Sequence, residues 1–332
     1  MKLFVTGGTG LLGSNIIALA EGRENIEAVA SQYRSEFGPD RRWEAVQMNL
    51  EDAPSVQKTI ELHKPDVIVH AAIPRDLLRM EFEKDWSWNV VVNGTRALAE
   101  AGRRFDSRLI LVSTDWIFGN GGTPPYREDS PPCPVCYYGL LKVVCEALVS
   151  SICPNFAIAR TAGVYGLNPG CPDYEQKRQG TGLGGFVDYC LYQFRQGKEA
   201  AVWMEHVNMS ANTALVTDVA EAVLALASTD HRGIFHCCGH EGVNRIELAQ
   251  RVAHVFGYPH ELVRVATPLE LTAELDVANE RPAPVDTRLD VDSTETRLTR
   301  KLLTLDESLY RYKEQLQHAD ERTRALLLNS SS

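Results

Sequence analysis

Two side chains four residues apart could carry out acid–base chemistry, Tyr138 and Lys142 in the segment Tyr138-Gly139-Leu140-Leu141-Lys142. In a helix this spacing puts the phenol and the ammonium on one face, one turn apart. A free tyrosine has a pKa near ~10 and transfers protons poorly at neutral pH, whereas a neighbouring cation favours the phenolate. Because the same spacing is common on solvated helix faces, it indicates catalysis only in combination with other groups.

A glycine-rich segment near the N-terminus could bind a dinucleotide: Thr6-Gly7-Gly8-Thr9-Gly10-Leu11-Leu12-Gly13. It lies between an apolar run and a helical pattern, which is the context that such a site requires. Gly7 permits a tight turn, Gly10 lets the backbone approach a diphosphate, and Gly13 allows close helix packing. The unpaired N–H groups at the start of the helix would then face the phosphates.

Polar side chains also follow the apolar run 109–112, where Ser113, Thr114 and Asp115 come next in the chain. At the end of a buried strand, these hydroxyl groups could hydrogen-bond a substrate carbonyl and stabilise charge that develops on its oxygen. Three local signals therefore point to chemistry on a carbonyl group beside a bound nucleotide.

The elements that must position these residues follow from the apolar pattern. The first 150 residues alternate short apolar runs with helical patterns, which predicts βαβ units and a parallel sheet. We therefore expect an α/β fold, a Rossmann-type doubly wound parallel sheet with a smaller, mostly C-terminal substrate-binding lobe. Residues 1–165 would form the nucleotide-binding domain, with returning segments near 200–240, and residues 166–332 mainly the lobe and C-terminal helices. Strands are predicted at 3–6, 26–30, 43–48, 67–71, 108–113 and 156–160, helices at 56–62, 86–102, 186–195, 217–227 and 246–256, and a loop over the site at 166–185.

Composition excludes several classes of protein. The chain has 332 residues, of which 44% are hydrophobic and 23% charged, and its net charge is −10. This acidic balance argues against a nucleic-acid partner, which would need clustered lysine and arginine. No apolar run approaches the ~20 residues of a membrane span, and the N-terminus reads as a first strand rather than a signal peptide. We therefore expect a cytoplasmic protein whose eight cysteines remain thiols.

Two clusters could suggest a metal or redox site, Cys133-Pro134-Val135-Cys136 and His236-Cys237-Cys238-Gly239-His240. The first lacks a second pair at zinc-finger spacing. The second reads as a strand entering a turn, so that its side chains alternate between faces and could not easily converge on one ion. No metal is predicted.

Taken in order, the motifs resemble the extended short-chain dehydrogenases/reductases: a glycine-rich turn, a strand ending in Ser113-Thr114, then Tyr138 and Lys142. Further segments, over roughly residues 1–295, are similar to the dTDP-4-dehydrorhamnose reductases. They are Ser113-Thr114-Asp115-Trp116-Ile117-Phe118, Thr123-Pro124-Pro125-Tyr126-Arg127-Glu128-Asp129, Arg160-Thr161-Ala162-Gly163-Val164-Tyr165-Gly166, Thr217-Asp218-Val219-Ala220-Glu221-Ala222, and Arg281-Pro282 with Leu289-Asp290.

The resemblance implies roles for the chemical groups. Tyr138 would donate a proton to a ketone, Lys142 would be its partner and a ribose ligand, and Thr114 would orient the carbonyl. Asp115 and Trp116, together with Thr114 and Tyr138, would face a sugar substrate. The resemblance also places Asn49-Leu50 near the adenine, Ala71-Ala72 near the diphosphate and ribose, and Asn89 in a supporting helix. Asn49 and Asn89 could instead be ordinary polar residues of a turn and a helix.

The choice of cofactor depends on Ser31-Gln32-Tyr33-Arg34, which follows the second predicted strand. NAD sites place a carboxylate ~20 residues after the glycines, whereas NADP sites prefer an arginine. Arg34, with Ser31, would suit a 2′-phosphate, so NADP(H) is favoured over NAD(H); a merely exposed arginine is the alternative. The predicted cofactor contacts are then Gly7, Thr9, Gly10, Leu11, Leu12, Gly13, Ser31, Arg34, Asn49, Leu50, Ala71, Ala72, Ile73, Asn89, Ser113, Tyr138 and Lys142.

Two features depart from the reductase pattern. The dTDP-4-dehydrorhamnose reductases usually carry a tryptophan, associated with packing on the sugar, at the position of Gly163. The region 168–184 is also longer than expected and could reshape the pocket. Both departures leave the exact substrate open.

We expect an NADPH-dependent reductase of a nucleotide-linked 4-keto-6-deoxysugar, with Tyr138 as proton donor. Alternatives at the same site are reduction of a non-sugar ketone, and epimerisation or dehydration of a sugar nucleotide. A different class of function is also open, because the β-subunit of methionine adenosyltransferase resembles this family and binds NADP as a non-catalytic regulatory subunit. A homodimer is the assembly considered.

Overall fold

A computed structural model of the chain describes residues 1–35, 37, 43–74, 76–119, 121–170, 183–202, 210–266 and 282–319. Its strands are β1 (Lys2–Thr6), β2 (Glu27–Gln32), β3 (Glu44–Gln47), β4 (Val67–His70), β5 (Arg108–Thr114), β6 (Phe156–Thr161), β7 (Val164–Tyr165), β8 (Ala200–Val202), β9 (Ser210–Ala211), β10 (Ala214–Leu215), β11 (Gly233–His236), β12 (Val243–Asn244) and β13 (Val263–Val265). Its helices are α1 (Leu11–Glu21), α2 (Ala53–His63), α3 (Leu77–Phe82), α4 (Lys84–Ser87), α5 (Gly94–Arg104), α6 (Tyr137–Ile152), α7 (Phe186–Arg195), α8 (Val216–Ala227), α9 (Arg245–Phe256), α10 (Asp292–Leu298) and α11 (Leu305–His318).

Seven strands form one sheet in the order β11–β6–β5–β4–β1–β2–β3, and each neighbouring pair is parallel. Helices cover both faces, which is why a strand such as β4 is buried along its whole length. The chain order reverses between β1 and β4, so their carboxyl ends open a crevice of the kind in which ligands bind in doubly wound folds. The predicted fold class is confirmed.

The two faces of the sheet carry separate hydrophobic cores. Ile16 of α1 and Val223 of α8 lie in one core, and Leu98 of α5 and Leu141 of α6 lie in the other. Because α1 directly follows β1 and α6 follows β5, both helices begin at the carboxyl edge of the sheet. The sheet therefore brings the glycine-rich turn and Tyr138 to the same edge.

Beyond β6 the chain builds a smaller lobe from short strand pairs and helices. β7 pairs with β10 and β8 with β13 in parallel, whereas β9 and β12 are antiparallel. α9 packs against both α7 and α11. The chain returns to the main sheet at β11, beside β6. The division into domains at residue 165 stays a prediction.

Some elements differ from their prediction. The helix expected over 86–102 contains a π-helical turn, Trp88–Asn93, between α4 and α5. The helix expected from Thr217 begins at Val216 without a side-chain cap. Asp218 is buried instead, where it accepts hydrogen bonds from Arg300 and from the backbone of Leu303. Sequence reasoning missed α3 and the two-residue strands, since such short segments carry no periodic signal.

Part of the predicted loop at 166–185 (residues 171–182) and Arg281 of one family-like segment lie outside the described residues. Among the helices that the structure does describe, none has the length and apolar character needed to cross a membrane.

Candidate active site

The glycine-rich turn after β1 forms a cradle that side chains would fill. Gly7 has a φ of 69°, in the left-handed region that favours glycine, and a Cβ there would lie 2.7 Å from the Cα of Ala72. A Cβ on Gly13 would lie only 2.3 Å from the carbonyl oxygen of Gly7. The turn can therefore press against the start of α1 and against the end of β4 only because these positions lack side chains.

Helix α1 adds an anion-binding end to this cradle. It begins at Leu11 behind the N-cap Gly10, which carries no capping side chain. The N–H groups of a first helical turn have no partner within the helix and carry its positive dipole end. Leu11, Leu12 and Gly13 supply these groups here, so the residues present fit the diphosphate of a dinucleotide.

A buried histidine ties Ala72 to the neighbouring elements. Thr95 Oγ1 donates to the Val91 carbonyl at 2.6 Å, so it accepts from His70 Nε2 at 3.1 Å. The free Nδ1 of His70 then accepts from the Thr6 hydroxyl at 2.7 Å, and Thr6 Oγ1 accepts from the Ala72 N–H at 3.1 Å. Burial, followed by the Lys142 charge, lowers the His70 pKa to about 3, so the ring stays neutral. This series of hydrogen bonds fixes the position of the Ala72 backbone beside Gly7.

The two residues predicted to choose the cofactor lie differently. Ser31 is buried beneath the turn, where its hydroxyl accepts from the Gly7 N–H at 3.3 Å and its carbonyl accepts from the Gly8 N–H at 2.9 Å. Arg34 is exposed, with its guanidinium 5.6 Å from the ring centroid of Tyr33. Ser31 therefore stabilises the turn, and the exposed Arg34 is the one of these two side chains that could bind the 2′-phosphate of a cofactor.

The remaining predicted cofactor contacts line the neighbouring strand ends and helix. Asn49 accepts from the Glu51 N–H at 3.1 Å, and a Cβ on Gly94 would lie 2.9 Å from Leu50 Cβ. Asn89, in the π turn, accepts from the Asn93 amide at 3.1 Å. Ala71 and Ile73 are half-buried on either side of Ala72. Asn49 therefore stabilises a local turn, which is the alternative role considered for it in the sequence. Its contact with a cofactor stays a prediction.

The three predicted catalytic side chains meet at the carboxyl end of β5. The Thr114 hydroxyl lies close enough to the phenol of Tyr138 to affect its pKa, and the Trp116 and Tyr138 rings meet edge to face with centroids 6.1 Å apart. Helix α6 can approach this closely because residue 139 is glycine: a Cβ there would lie 2.2 Å from the Trp116 carbonyl oxygen. Lys142 lies one turn further along α6, and its Nζ donates to the Val112 carbonyl at 2.9 Å.

Burial dominates the electrostatics of this pair. It raises the pKa of Tyr138 above the usual value and lowers the pKa of Lys142. Desolvation is the largest cause of the shift at Tyr138 and Lys142 is not one of its main causes, so the expectation that Lys142 would hold the phenol's pKa down is not met. Tyr138 stays protonated at neutral pH, which is the form that a proton donor needs.

Asp115 lies directly behind Thr114. It is 3% exposed, and its two oxygens accept from Thr114 Oγ1 at 3.1 Å and from Thr287 Oγ1 at 2.5 Å. Burial raises its pKa to about 7. Asp115 and Trp116 were predicted to face a sugar; Trp116 is 6% exposed. Sequence reasoning missed Thr287, because it is 172 positions from Asp115 and no spacing rule connects the two.

A buried ion pair between Glu146 and Arg160 contacts the carboxyl end of β5 through Ser113. The Ser113 hydroxyl donates to Glu146 Oε1 at 2.5 Å, and its contact with a cofactor stays a prediction. Glu146 also accepts from Arg160 Nε at 3.1 Å and Nη2 at 2.9 Å. The sequence carried a signal for Glu146, since it lies one helical turn after Lys142 on the same face.

The lobe reaches the site through two segments. A Cβ on Gly163 would lie 2.7 Å from Gly184 N, so the segment Leu183–Gly184 leaves no room for the tryptophan of the related reductases. Asn168 accepts from the Ser14 hydroxyl at 2.8 Å and donates to the Thr9 carbonyl at 3.3 Å, which attaches the chain after β7 to the start of α1. Sequence reasoning did not identify this attachment.

The two cysteine-containing clusters border the site, since Cys136 lies near Tyr138 and Cys238 near Asp115, but their polar side chains are engaged elsewhere. Cys133 donates from its thiol to the Gly121 carbonyl at 2.9 Å. His236 is buried, and its Nδ1 lies 2.6 Å from the Asp290 carbonyl oxygen, whereas His240 lies 2.9 Å from Glu295 Oε1. A search of the described residues finds no group of histidine, cysteine and carboxylate side chains able to hold a metal ion.

Comparison with known proteins agrees with this geometry. The family described as the RmlD substrate binding domain matches residues 1–318. Methionine adenosyltransferase 2 subunit beta of Xenopus tropicalis is 31% identical over 301 residues, 89% of this chain and 81% of the relative. The dTDP-4-dehydrorhamnose reductase of Streptomyces griseus is 28% identical over 274 residues, 81% of each chain.

A solved structure shares the fold. The dTDP-4-dehydrorhamnose reductase of Bacillus anthracis, in complex with NADP, has a TM-score of 0.75 and 18% identity, covering 95% of this chain and 99% of that one. With the glycine cradle, Thr114, Tyr138 and Lys142 on this scaffold and the family matched across residues 1–318, the chain belongs to the RmlD substrate binding domain family, a dTDP-4-dehydrorhamnose reductase-like group of extended short-chain dehydrogenase/reductase oxidoreductases.

Proposed function

We propose that the protein is an NADPH-dependent reductase of the 4-keto group of a nucleotide-linked 6-deoxysugar. One observation carries this proposal: the Tyr138 phenol, kept protonated by burial, lies beside the Thr114 hydroxyl at the sheet edge that carries the dinucleotide cradle. A protonated acid beside a hydroxyl suits a carbonyl that must gain a proton. The reductase from Streptomyces griseus supports the nucleotide-sugar class of substrate.

Each side chain has a defined task in this reaction. A bound nicotinamide supplies the hydride that carbonyl reduction requires. Tyr138 donates the phenol proton to the carbonyl oxygen as negative charge develops there. Thr114 holds that oxygen and stabilises the charge. Lys142, anchored on the Val112 carbonyl, places a cation next to the phenolate that remains.

NADPH is proposed over NADH because of Arg34, the exposed cation after β2. An arginine at this place can form charge-assisted hydrogen bonds with a 2′-phosphate. The reductase structure from Bacillus anthracis contains NADP. We expect the purified protein to bind NADPH more tightly than NADH, and equal dissociation constants for the two would contradict this choice.

The function is tested by following NADPH absorbance with purified protein and a panel of nucleotide-linked 4-keto-6-deoxysugars. We expect net NADPH consumption with at least one sugar, and loss of turnover in Tyr138→Phe with cofactor binding retained. Epimerisation and dehydration regenerate the cofactor, so product formation without net consumption would replace reduction by one of those reactions. Activity that survives Tyr138→Phe would refute the proton-donor role.

A regulatory subunit is the second candidate, favoured by the 31% identity with methionine adenosyltransferase 2 subunit beta. A protein of that kind would bind NADPH in the same cradle without consuming it. Co-purification with a methionine adenosyltransferase, combined with no turnover on any ketone offered, would favour this candidate. The cytoplasmic location and the homodimer stay predictions.

A further inference from the structure

The carboxyl group of Asp115 lies in a line of hydroxyl groups that ends at the candidate proton donor. Thr287 donates to Asp115 Oδ2 at 2.5 Å, Thr114 donates to Asp115 Oδ1 at 3.1 Å, and the Thr114 hydroxyl lies beside the Tyr138 phenol. The order is therefore Thr287, Asp115, Thr114, Tyr138. Hydroxyl groups both donate and accept, so protons can pass along such a line by reversing each hydrogen bond in turn.

Thr287 can form a hydrogen bond with the Asp115 carboxyl group in both of its protonation states. Its backbone N–H donates to the Ser210 carbonyl at 2.9 Å, and its hydroxyl lies 3.3 Å from the same oxygen. The hydroxyl can donate to the carboxylate when Asp115 is ionised. When the acid is protonated on this oxygen, the hydroxyl can accept from it and donate to Ser210. The carboxyl keeps a hydrogen-bonding partner in either case.

The surroundings let Asp115 hold a proton at neutral pH. Among the residues that the structure describes, the ionisable groups that face it are the Tyr138 phenol from α6 and the Cys238 thiol after β11, and burial raises the pKa of each above its usual value. Asp115 is itself buried, and desolvation raises its pKa to about 7, although the Thr287 and Thr114 hydroxyls and the backbone N–H groups of Asp115 and Trp116 partly oppose this. Protonated and ionised Asp115 are therefore both populated near neutral pH.

We propose that Asp115 returns a proton to Tyr138 through the Thr114 hydroxyl after each reduction, and that Thr287 sets the pH at which it can do so. This inference rests on the reductase function proposed above. Because Asp115 acts through Thr114, it is a positioning and proton-relay residue rather than a group that touches the reacting atoms.

The proton transfers balance within the site. When Asp115 is protonated, its O–H donates to Thr114, so that the Thr114 O–H and the phenol O–H can both donate to the carbonyl oxygen. The phenol O–H bond breaks as the O–H bond of the product alcohol forms. The Thr114 proton then moves to the phenolate and the Asp115 proton moves to Thr114. Asp115 remains as a carboxylate and takes up a proton from solvent before the next turnover.

The kinetic test is the pH dependence of kcat in three proteins. The wild type should lose rate as the pH rises through about 7, because Asp115 then loses its proton. Asp115→Asn has no proton to return, so kcat below that pH should fall by at least ~10-fold and the decline should disappear. Since the Thr287 bond lowers the Asp115 pKa, Thr287→Val should move the decline to higher pH. A decline that Asp115→Asn retains would overturn the proposal.

A second measurement needs no substrate. The carbonyl stretch of a protonated carboxyl group, followed by infrared difference spectroscopy over the same pH range, should titrate in the wild type. The band of Asp115 should be missing in Asp115→Asn and should shift in Tyr138→Phe. If no sugar is reduced, the proposed function fails, and the infrared spectrum alone tests the relay. An Asp115 band that titrates and shifts in Tyr138→Phe supports the relay, and the absence of such a band overturns it.

Asp188 provides a matched control. It is also a buried carboxyl whose pKa is raised to about 7 by burial, and it accepts from the Tyr312 hydroxyl at 2.7 Å, between α7 and α11. Asp188→Asn should remove its own infrared band and leave the pH profile of kcat unchanged. A profile that changes as much in Asp188→Asn as in Asp115→Asn would show a general effect of buried acids, and the relay would be refuted.

Discussion

Alanine at position 139 tests how closely α6 must approach the end of β5 for Tyr138 to work. A Cβ on residue 139 would lie 2.2 Å from the Trp116 carbonyl oxygen and 3.0 Å from Pro134 Cβ. Ordinary contact begins at 3.4 Å, so the helix or the carbonyl must move by about 1.2 Å, the difference between 3.4 and 2.2 Å. The closest obstacle is backbone, which cannot rotate away as a side chain could. The start of α6 must therefore shift, and Tyr138 with it.

The size of the effect follows from this shift. A misplacement of about 1 Å in a reacting group can cost roughly 100-fold in rate. We expect Gly139→Ala to lower kcat by about that factor and to destabilise the fold by roughly 1–3 kcal/mol, as overpacking usually does. The dissociation constant for NADPH should stay near the wild-type value, because the glycine cradle belongs to β1 and α1.

Steady-state NADPH oxidation and a cofactor-binding titration, run on the same preparation, separate these two expectations. Gly102→Ala in α5 is the matched control, since a Cβ there would meet Ile68 Cδ1 at an ordinary 3.5 Å. It should retain activity, and its helix should gain about 0.5–1 kcal/mol in propensity. Wild-type kcat in Gly139→Ala would refute the argument that this close approach positions Tyr138.

Two further predictions concern stability. Glu146→Gln removes the negative partner of the buried Arg160 guanidinium; we expect a loss of about 3 kcal/mol in the free energy of unfolding, measured by denaturant titration, and an unchanged midpoint would contradict it. Burial raises the Asp188 pKa from 3.8 to about 7, so the folded protein favours the neutral form of this acid. The resulting contribution to the free energy of unfolding, up to about 4 kcal/mol, is present at low pH and is lost as the pH rises from 4 to 7. Asp188→Asn should flatten the wild-type decline in stability over that range, and equal slopes in both proteins would exclude Asp188 as its source.

Local patterns predicted the framework and the main groups of the site. The buried run at 67–71 and the helical pattern at 186–195 correspond to β4 (Val67–His70) and α7 (Phe186–Arg195). Both signals follow from hydrophobic periodicity, which reports which face of an element is shielded from water. The glycine turn was also predictable from the sequence, because a close approach of backbone segments requires residues without side chains at a fixed spacing.

Contacts between distant segments were not predictable in this way. Thr287 reaches Asp115 across 172 positions, and Asn168 reaches Ser14 across 154. Spacing rules describe neighbours within one element, whereas these pairs depend on how the lobe folds back on the sheet. The prediction for the Tyr138 pKa failed for the same reason: the sequence shows Lys142 one turn away, but the burial that raises this pKa is a tertiary property.

Burial sets the protonation state in which the site waits for its substrate. An acid whose pKa is raised by desolvation gives up its proton only to a strong base, such as the oxygen of a carbonyl that is becoming an alkoxide. Oxidation of an alcohol would instead need a phenolate, which the environment of Tyr138 disfavours. Asp115, also kept partly protonated by burial, pushes the balance the same way. The two buried acids therefore hold the resting site in the protonated form that reduction of a ketone uses near neutral pH, whereas the net direction is set by the concentrations of substrate, product and the two cofactor forms.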